Sequence, residues 1–303
     1  FKVIAGKEIL SLKDNVSLAQ NCGIIVCNSA SGDIVFDSRN ENIRWNKAFD
    51  GNVASSVYSL IKTPLGELRF AITLIHQTGK IAFDLNILKT NENAEDYVIK
   101  IPVTPSVRHA NVKYKTPSGI SEFGRSELTD DVFPQPFNMH IRNVLHWAAI
   151  GDDKKSVLLT GDFIYCEMEE NADGRFSVTP ALFPLNNASF NHHLELQLFS
   201  SNDNDMPNTG DAYTTPLLTV TAPEKNMSML PGEVSFFALR NKNLSVTAIK
   251  KAKNTDDVII RIVEPFGKDG FALMEPMFSF SGFSSAGLNE NNLKDLNAAA
   301  TIK

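Results

Sequence analysis

The side chains that could do chemistry are few and scattered. Six histidines occur: His76, His109, His140, His146, His192 and His193. None falls in an H-E-x-x-H or His-x-Asp arrangement, spacings that bring two ligands to one metal ion. Only His192 and His193 are adjacent. Neighbours on a strand point to opposite faces, so one is expected inward and one outward, with no shared metal. The run Asn202-Asp203-Asn204-Asp205 offers oxygen ligands. It lacks the glycine and distal glutamate of a calcium loop and reads as a solvated turn. Cys22, Cys27 and Cys166 form no C-x-x-C pair and read as buried thiols, with a Cys22–Cys27 bridge as the alternative.

Acid–base chemistry on a glycosidic bond needs two carboxyl groups about 5–9.5 Å apart. Adjacent or alternating candidates are Asp130-Asp131, Asp152-Asp153, Glu167 with Glu169, and Asp256-Asp257. Glu167 and Glu169 share one strand face, roughly 7 Å apart. The Asp152 and Asp256 pairs read as turn residues before strands. Cys166 has no neighbouring histidine, and no G-x-S-x-G, G-x-x-x-x-G-K or G-x-G-x-x-G motif occurs. If a histidine and a carboxylate converge, the pairs to test join His109, His140 or His146 with Glu167 or Glu169. Trp45, Trp147 and Tyr165 are the aromatic candidates for stacking on a sugar ring. Trp147 sits in an otherwise apolar strand, where core packing competes with that role.

The elements that must position these residues are strands. Ile24–Cys27 and Ile34–Phe36 flank the turn Ser29-Ala30-Ser31-Gly32-Asp33 and predict a hairpin. Leu68–Leu74 and Ile81–Leu85 predict a second. Val157–Tyr165 reads as strand, turn, strand through Gly161-Asp162. Leu194–Leu198 alternates strictly, so one face is wet. Val258–Val263 is apolar on both faces and suggests a central strand between layers. The best helix candidate is short and polar, Asn289–Leu296. After it, Asn297–Lys303 suggests no closing strand, as if the last strand of a sheet were missing.

The chain has 303 residues, with 29 basic and 35 acidic side chains and a net charge of −6. That balance argues against a nucleic-acid binder, which carries a basic excess or stripe. Hydrophobic residues make up 43% and charged residues 21%, a globular composition that needs no disulfide framework. No run approaches the ~18 apolar residues of a membrane-spanning helix, so no membrane partner is expected. The chain starts at Phe1 without an initiator methionine, as a mature or excised chain would. Sequons at Asn15, Asn187, Asn226 and Asn243 do not establish secretion, and nothing else fixes the compartment. A polar break at Ala222-Pro223-Glu224-Lys225-Asn226 suggests a boundary, with domains at 1–224 and 225–303.

Several segments carry a resemblance. Leu244–Ala252 followed by Asp256-Asp257-Val258-Ile259-Ile260-Arg261-Ile262-Val263-Glu264-Pro265-Phe266-Gly267 resembles the C-terminal region of glycoside hydrolase family 38 α-mannosidases. Glu264 stands where that family usually has Asn, and Phe266 where it has a small residue. Upstream and in the same order, Pro134–Phe137 leading to Leu145–Ile150, then Ser156–Tyr165, then Ala212–Leu217 are similar to further motifs of the family. Together they span roughly residues 110–290.

The resemblance implies an all-β fold, a large galactose-mutarotase-like sandwich followed by a smaller C-terminal one. It implies a noncatalytic β-region that braces an N-terminal catalytic domain of the same polypeptide and walls a cleft for mannosides. The family's catalytic barrel and its His-x-Asp zinc motif have no counterpart in this sequence. No cofactor is therefore expected in this chain, and zinc only in the catalytic domain. Two other readings are a self-standing carbohydrate-binding or scaffold module, and a sugar-active enzyme such as an epimerase or lyase on a β-sandwich.

Overall fold

A computed structural model describes residues 10–11, 17–18, 23–76, 78, 80–107, 109–117, 119–123, 140–152, 154–182, 191–200, 206–213, 237–241, 244–265, 270–276, 281–287, 289–290, 292–296 and 299–302. The chain divides into two units, residues 1–117 with 121–214, and residues 118–120 with 215–303. The expected boundary at Ala222–Asn226 lies outside the described residues, as do Asp130-Asp131 and Asn202–Asp205.

The strands of the first unit are β1 (Leu10–Ser11), β2 (Ser17–Leu18), β3 (Ile25–Asn28), β4 (Ile34–Asp37), β5 (Asn46–Asp50), β6 (Ala54–Thr63), β7 (Gly66–Ile75), β8 (Lys80–Thr90) and β9 (Tyr97–Lys100). They continue as β10 (Asn111–Thr116), β11 (Gly119–Glu122, whose first two residues fall in the second unit), β12 (Ile141–Asn143), β13 (Trp147–Gly151), β14 (Lys155–Gly161), β15 (Tyr165–Glu170), β16 (Phe176–Leu182) and β17 (Asn191–Ser200), before a short helix α1 (Met206–Ala212). Nine of them form one sheet in the order β11-β10-β13-β14-β17-β8-β7-β6-β5. Six form a second sheet, β12-β15-β16-β9-β3-β4. All pairings among the described strands are antiparallel, and along β7 and β8 buried side chains alternate with more exposed ones, whereas β13 is buried on both faces.

The dry faces meet in one core. Leu68, Phe70, Ile72 and Leu74 of β7, Ile81, Phe83 and Leu85 of β8, and Leu194 and Leu196 of β17 belong to it from the nine-stranded sheet. Ile99 of β9, Cys166 and Met168 of β15, and Val178 of β16 belong to it from the other. This is an all-β sandwich, as the alternation implies. Each fully buried Leu, Ile or Phe stabilises it by about 1.5–3 kcal/mol.

Both predicted hairpins form, β3 with β4 and β7 with β8. Val157–Tyr165 forms the strand, turn and strand expected, but not as a hairpin. β14 lies in the nine-stranded sheet and β15 in the six-stranded one, so Asp162–Ile164 crosses between layers. Phe163, 1% exposed, is buried in the core at the crossing. Gly161 starts it where a Cβ would stand 2.3 Å from Leu194 Cδ2 and 2.8 Å from the His193 carbonyl oxygen. A Gly-Asp pair marks a turn in sequence but does not say whether the chain returns to the same sheet.

The second unit contains β18 (Phe237–Leu239), β19 (Ser245–Lys251), β20 (Val258–Val263), β21 (Gly270–Pro276), β22 (Phe283–Ala286), β23 (Asn292–Leu296) and β24 (Ala299–Ile302). β18, β21 and β24 form one sheet, β19 pairs with β20, and β22 with β23. Three expectations are corrected here. Asn292–Leu296 is a strand on β22, because a short polar stretch gains more from a ladder than from an isolated helical turn. Ala299–Ile302 is a strand on β21, so the tail does close a sheet. β20 is not the doubly buried strand expected: no residue of it is fully buried, Val258 is 52% exposed, and among the described residues it pairs with β19 alone. Apolar residues on both faces report composition, not neighbours.

Candidate functional site

The sequence-derived candidates are dispersed. Trp147 is 0% exposed, which removes it as a sugar platform, since a stacked sugar needs an open ring face. It lies on the face of β13 opposite Ala148 and Ile150, outside the main core cluster. There α1 covers it. Gly210 packs so closely that a Cβ would meet three indole atoms at 2.5–2.8 Å. The indole Nε1 donates to Asp211 Oδ1 (2.9 Å), and Lys115 Nζ reaches Asp211 Oδ2 (3.0 Å). Trp45 is half-buried, packs against the core, and has its ring 6.0 Å from that of Phe70. Tyr165 is 37% exposed at the start of β15.

The His–carboxylate pairs proposed from sequence do not assemble. Glu167 is bound to Lys100 Nζ at 2.6 Å. His146 turns back with φ 64° and its Nδ1 faces the Gly161 carbonyl at 3.2 Å. His109 lies beside Gly174, and His140 offers its carbonyl to Met168 N–H. Asp152 accepts from the backbone N–H groups of Lys154 and Lys155, and Asp257 from the Thr255 hydroxyl. Both act as the turn residues they were expected to be. Cys27 and Cys166 are free buried thiols, so Cys27 is in no bridge, and Cys22 lies outside the described residues. Burial pushes both thiols up.

A different histidine meets two carboxylates. β17 lies between β14 and β8, and its register sets His193 opposite Asp84 and Glu195 opposite Ala82. His192 points inward, 7% exposed, and burial lowers its pKa to about 4 against the pull of Asp162. His193 points outward. Its Nδ1 lies 2.7 Å from Asp84 Oδ1 and its Nε2 3.3 Å from Glu195 Oε1. Carboxylates only accept, so both ring nitrogens donate and the ring is an imidazolium. The hydrogen bonds to Asp84 and then Glu195 push its pKa up to about 10, burial opposing them. Glu195 is drawn down to about 2, first by the hydrogen bond from His193, with Lys80 Nζ at 3.0 Å on its other oxygen adding to this.

α1 ends over this network. The Tyr213 ring lies parallel to His193, within 1° and 6.4 Å between centroids. Its hydroxyl donates to the His193 carbonyl at 3.2 Å, and the same carbonyl accepts Asp162 N–H. Burial, then the charge of Asp162, raises the phenol's pKa. Asp84, Glu195 and Lys80 side chains keep 40%, 23% and 27% exposure.

Chemically, this is a pre-formed hydrogen-bonding surface rather than an acid–base pair. A protonated, doubly bound imidazole cannot accept a proton at neutral pH, and a carboxylate held near 2 cannot give one. The two carboxylates bind opposite edges of one ring, so they do not converge on a point. Among the described residues, no group of three His, Cys, Asp or Glu is arranged to hold a metal ion. The wet-face alternation of His193 with Glu195 was visible in the sequence, but the partner Asp84, more than a hundred positions away, was not.

No family model matches the chain, and no curated protein does. Solved structures do. An α-mannosidase from Enterococcus faecalis V583 superposes with TM-score 0.71 at 11% identity, covering 96% of this chain and 38% of that one. A protein of glycosyl hydrolase family 38 from Enterococcus faecalis gives TM-score 0.71 at 11% identity, covering 96% of this chain and 40% of that one. This chain thus spans about two-fifths of the length of those proteins. The all-β fold expected from the sequence resemblance is found, and nearly all of this chain has the fold of part of those two proteins.

Proposed function

We propose that this chain is the noncatalytic β-sandwich portion of an α-mannosidase-like glycosidase, bracing a catalytic domain and walling its sugar cleft. The observation that carries the reading is the fold match over 96% of this chain and about two-fifths of its neighbours. The site chemistry supports it. The described His–carboxylate network is locked in its charged form, which suits holding a ligand or a surface in place. The rival reading, a self-contained epimerase or lyase, needs a histidine free to exchange a proton. His193 is not free, and His109, His140 and His146 have no carboxylate from Glu167 or Glu169.

The test is to incubate the purified chain with an aryl α-mannoside and zinc while measuring bound metal in the same sample. No turnover and no stoichiometric zinc is the expected result. Turnover of the mannoside by the purified chain, whether or not His193→Gln abolishes it, would overturn the noncatalytic assignment.

A further inference from the structure

We propose that the wet face of the nine-stranded sheet at β8 and β17 is a binding site for a neutral pyranoside, held by Asp84, Glu195, Lys80 and Tyr213 around a fixed His193. The argument starts with charge. Asp84 and Glu195 are balanced by His193 and Lys80, and Asp162 beside Tyr213 leaves the patch densely polar with a single net negative charge. An anion would meet the carboxylates, and a cation would have to compete with His193 and Lys80 for them. A hydroxyl group, which donates and accepts at once, meets no such penalty.

Unused capacity comes next. A carboxylate offers about four lone-pair directions and an ammonium three donors. Asp84 uses Oδ1 on His193, and among the described residues its Oδ2 has no hydrogen-bond partner. Lys80 uses one donor on Glu195. Open acceptors and donors therefore stand along one strand pair, with side chains still 23–40% exposed. Across the β7–β8 and β8–β17 ladders from the two carboxylates stand Ala71 and Ala82, too short to cover them. The surface is also pre-ordered. Each polar group is already tied to another, so a ligand pays little for fixing side chains. Tyr213, parallel to His193, adds an aromatic ring at the border.

The choice of a mannoside as first probe rests on the glycosidase reading above. The site itself does not. The experiment uses the full chain with nitrogen-15-labelled histidine at neutral pH. The two His193 N–H protons, each held by a carboxylate, are the reporters. Methyl α-mannoside, methyl α-glucoside and glycerol are titrated in parallel. A saturable shift of both His193 signals with a pyranoside, and none with glycerol, is expected. Asp84→Ala should weaken that binding about tenfold, the loss of one hydrogen bond to a charged acceptor. Ile34→Ala, an exposed side chain on β4 of the other sheet, should leave it unchanged. Unmoved His193 signals, or an equal response to glycerol, would overturn the site. If Asp84→Ala does not fold, the wild-type titration still decides. Mannoside turnover by the chain would sink the noncatalytic reading while leaving this one standing, and silent His193 signals would do the reverse.

Discussion

Replacing His193 with glutamine removes one positive charge from between two carboxylates and keeps most of the volume. The imidazolium is stabilised by folding, since its pKa moves from 6.5 to about 10. At ~1.36 kcal/mol per unit the whole shift has a ceiling of about 5 kcal/mol. The side chain is 36% exposed, so solvent and salt screen much of this, and about 2 kcal/mol is the working figure. For a unit of this size that lowers Tm by about 4–8 °C. The sign with pH follows from the direction. A raised cationic pKa contributes fully below 6.5 and is lost as pH rises towards 10. The Tm gap between wild type and His193→Gln should therefore be widest near pH 6 and close by pH 10. Thermal melts of both proteins across that range, followed by circular dichroism, provide the measurement. A gap that is constant with pH, or absent at pH 6, would refute the doubly bound imidazolium.

Three further outcomes are expected. Lys80→Met should make the first unit unfold at higher pH on acid titration. The contribution of Glu195 is present above 4.5 and lost as pH falls through about 2, and removing Lys80 brings that loss to milder acid. Gly210→Ala should destabilise by about 1–3 kcal/mol, because its methyl would overlap the Trp147 ring. Faster amide exchange confined to residues 206–213 would show that the cost falls on α1. Gly66→Ala should cost more, since φ is +151° and the new Cβ would lie 1.9 Å from the Lys89 carbonyl oxygen. Loss of soluble protein, or a Tm drop larger than that of Gly210→Ala, is the readout.

What was legible in the sequence was local. Alternation at Leu194–Leu198 and turn residues at Ser29–Asp33 identify wet faces and hairpins, because both depend on neighbours in the chain. Gly161-Asp162 shows the limit. The same residues serve a hairpin or a crossing, and only the burial of Phe163 decides between them. Trp147 shows another. An apolar strand predicted its burial, but its cover comes from α1, a seven-residue helix that contains Pro207 and Gly210 and gives no periodic signal. The His193 network was hidden for the same physical reason. Register between β8 and β17 is set by how a whole sheet packs, not by either segment alone.

That register also bears on how the chain reaches its folded state. β5 to β8 form one run of consecutive hairpins, and β13 with β14 forms another. Each can close early, since its contacts are short-range. Within the nine-stranded sheet the two runs are joined by β17, which pairs with β8 on one side and β14 on the other. Until β17 arrives, two interior strands are temporary edges with unpaired amides and apolar side chains, the form in which β-proteins associate wrongly. By pairing with both, β17 removes these two edges and so guards against aggregation. Its charged residues, His193 and Glu195, lie where they find partners only in the correct register, so mispairing by one residue would bury both charges.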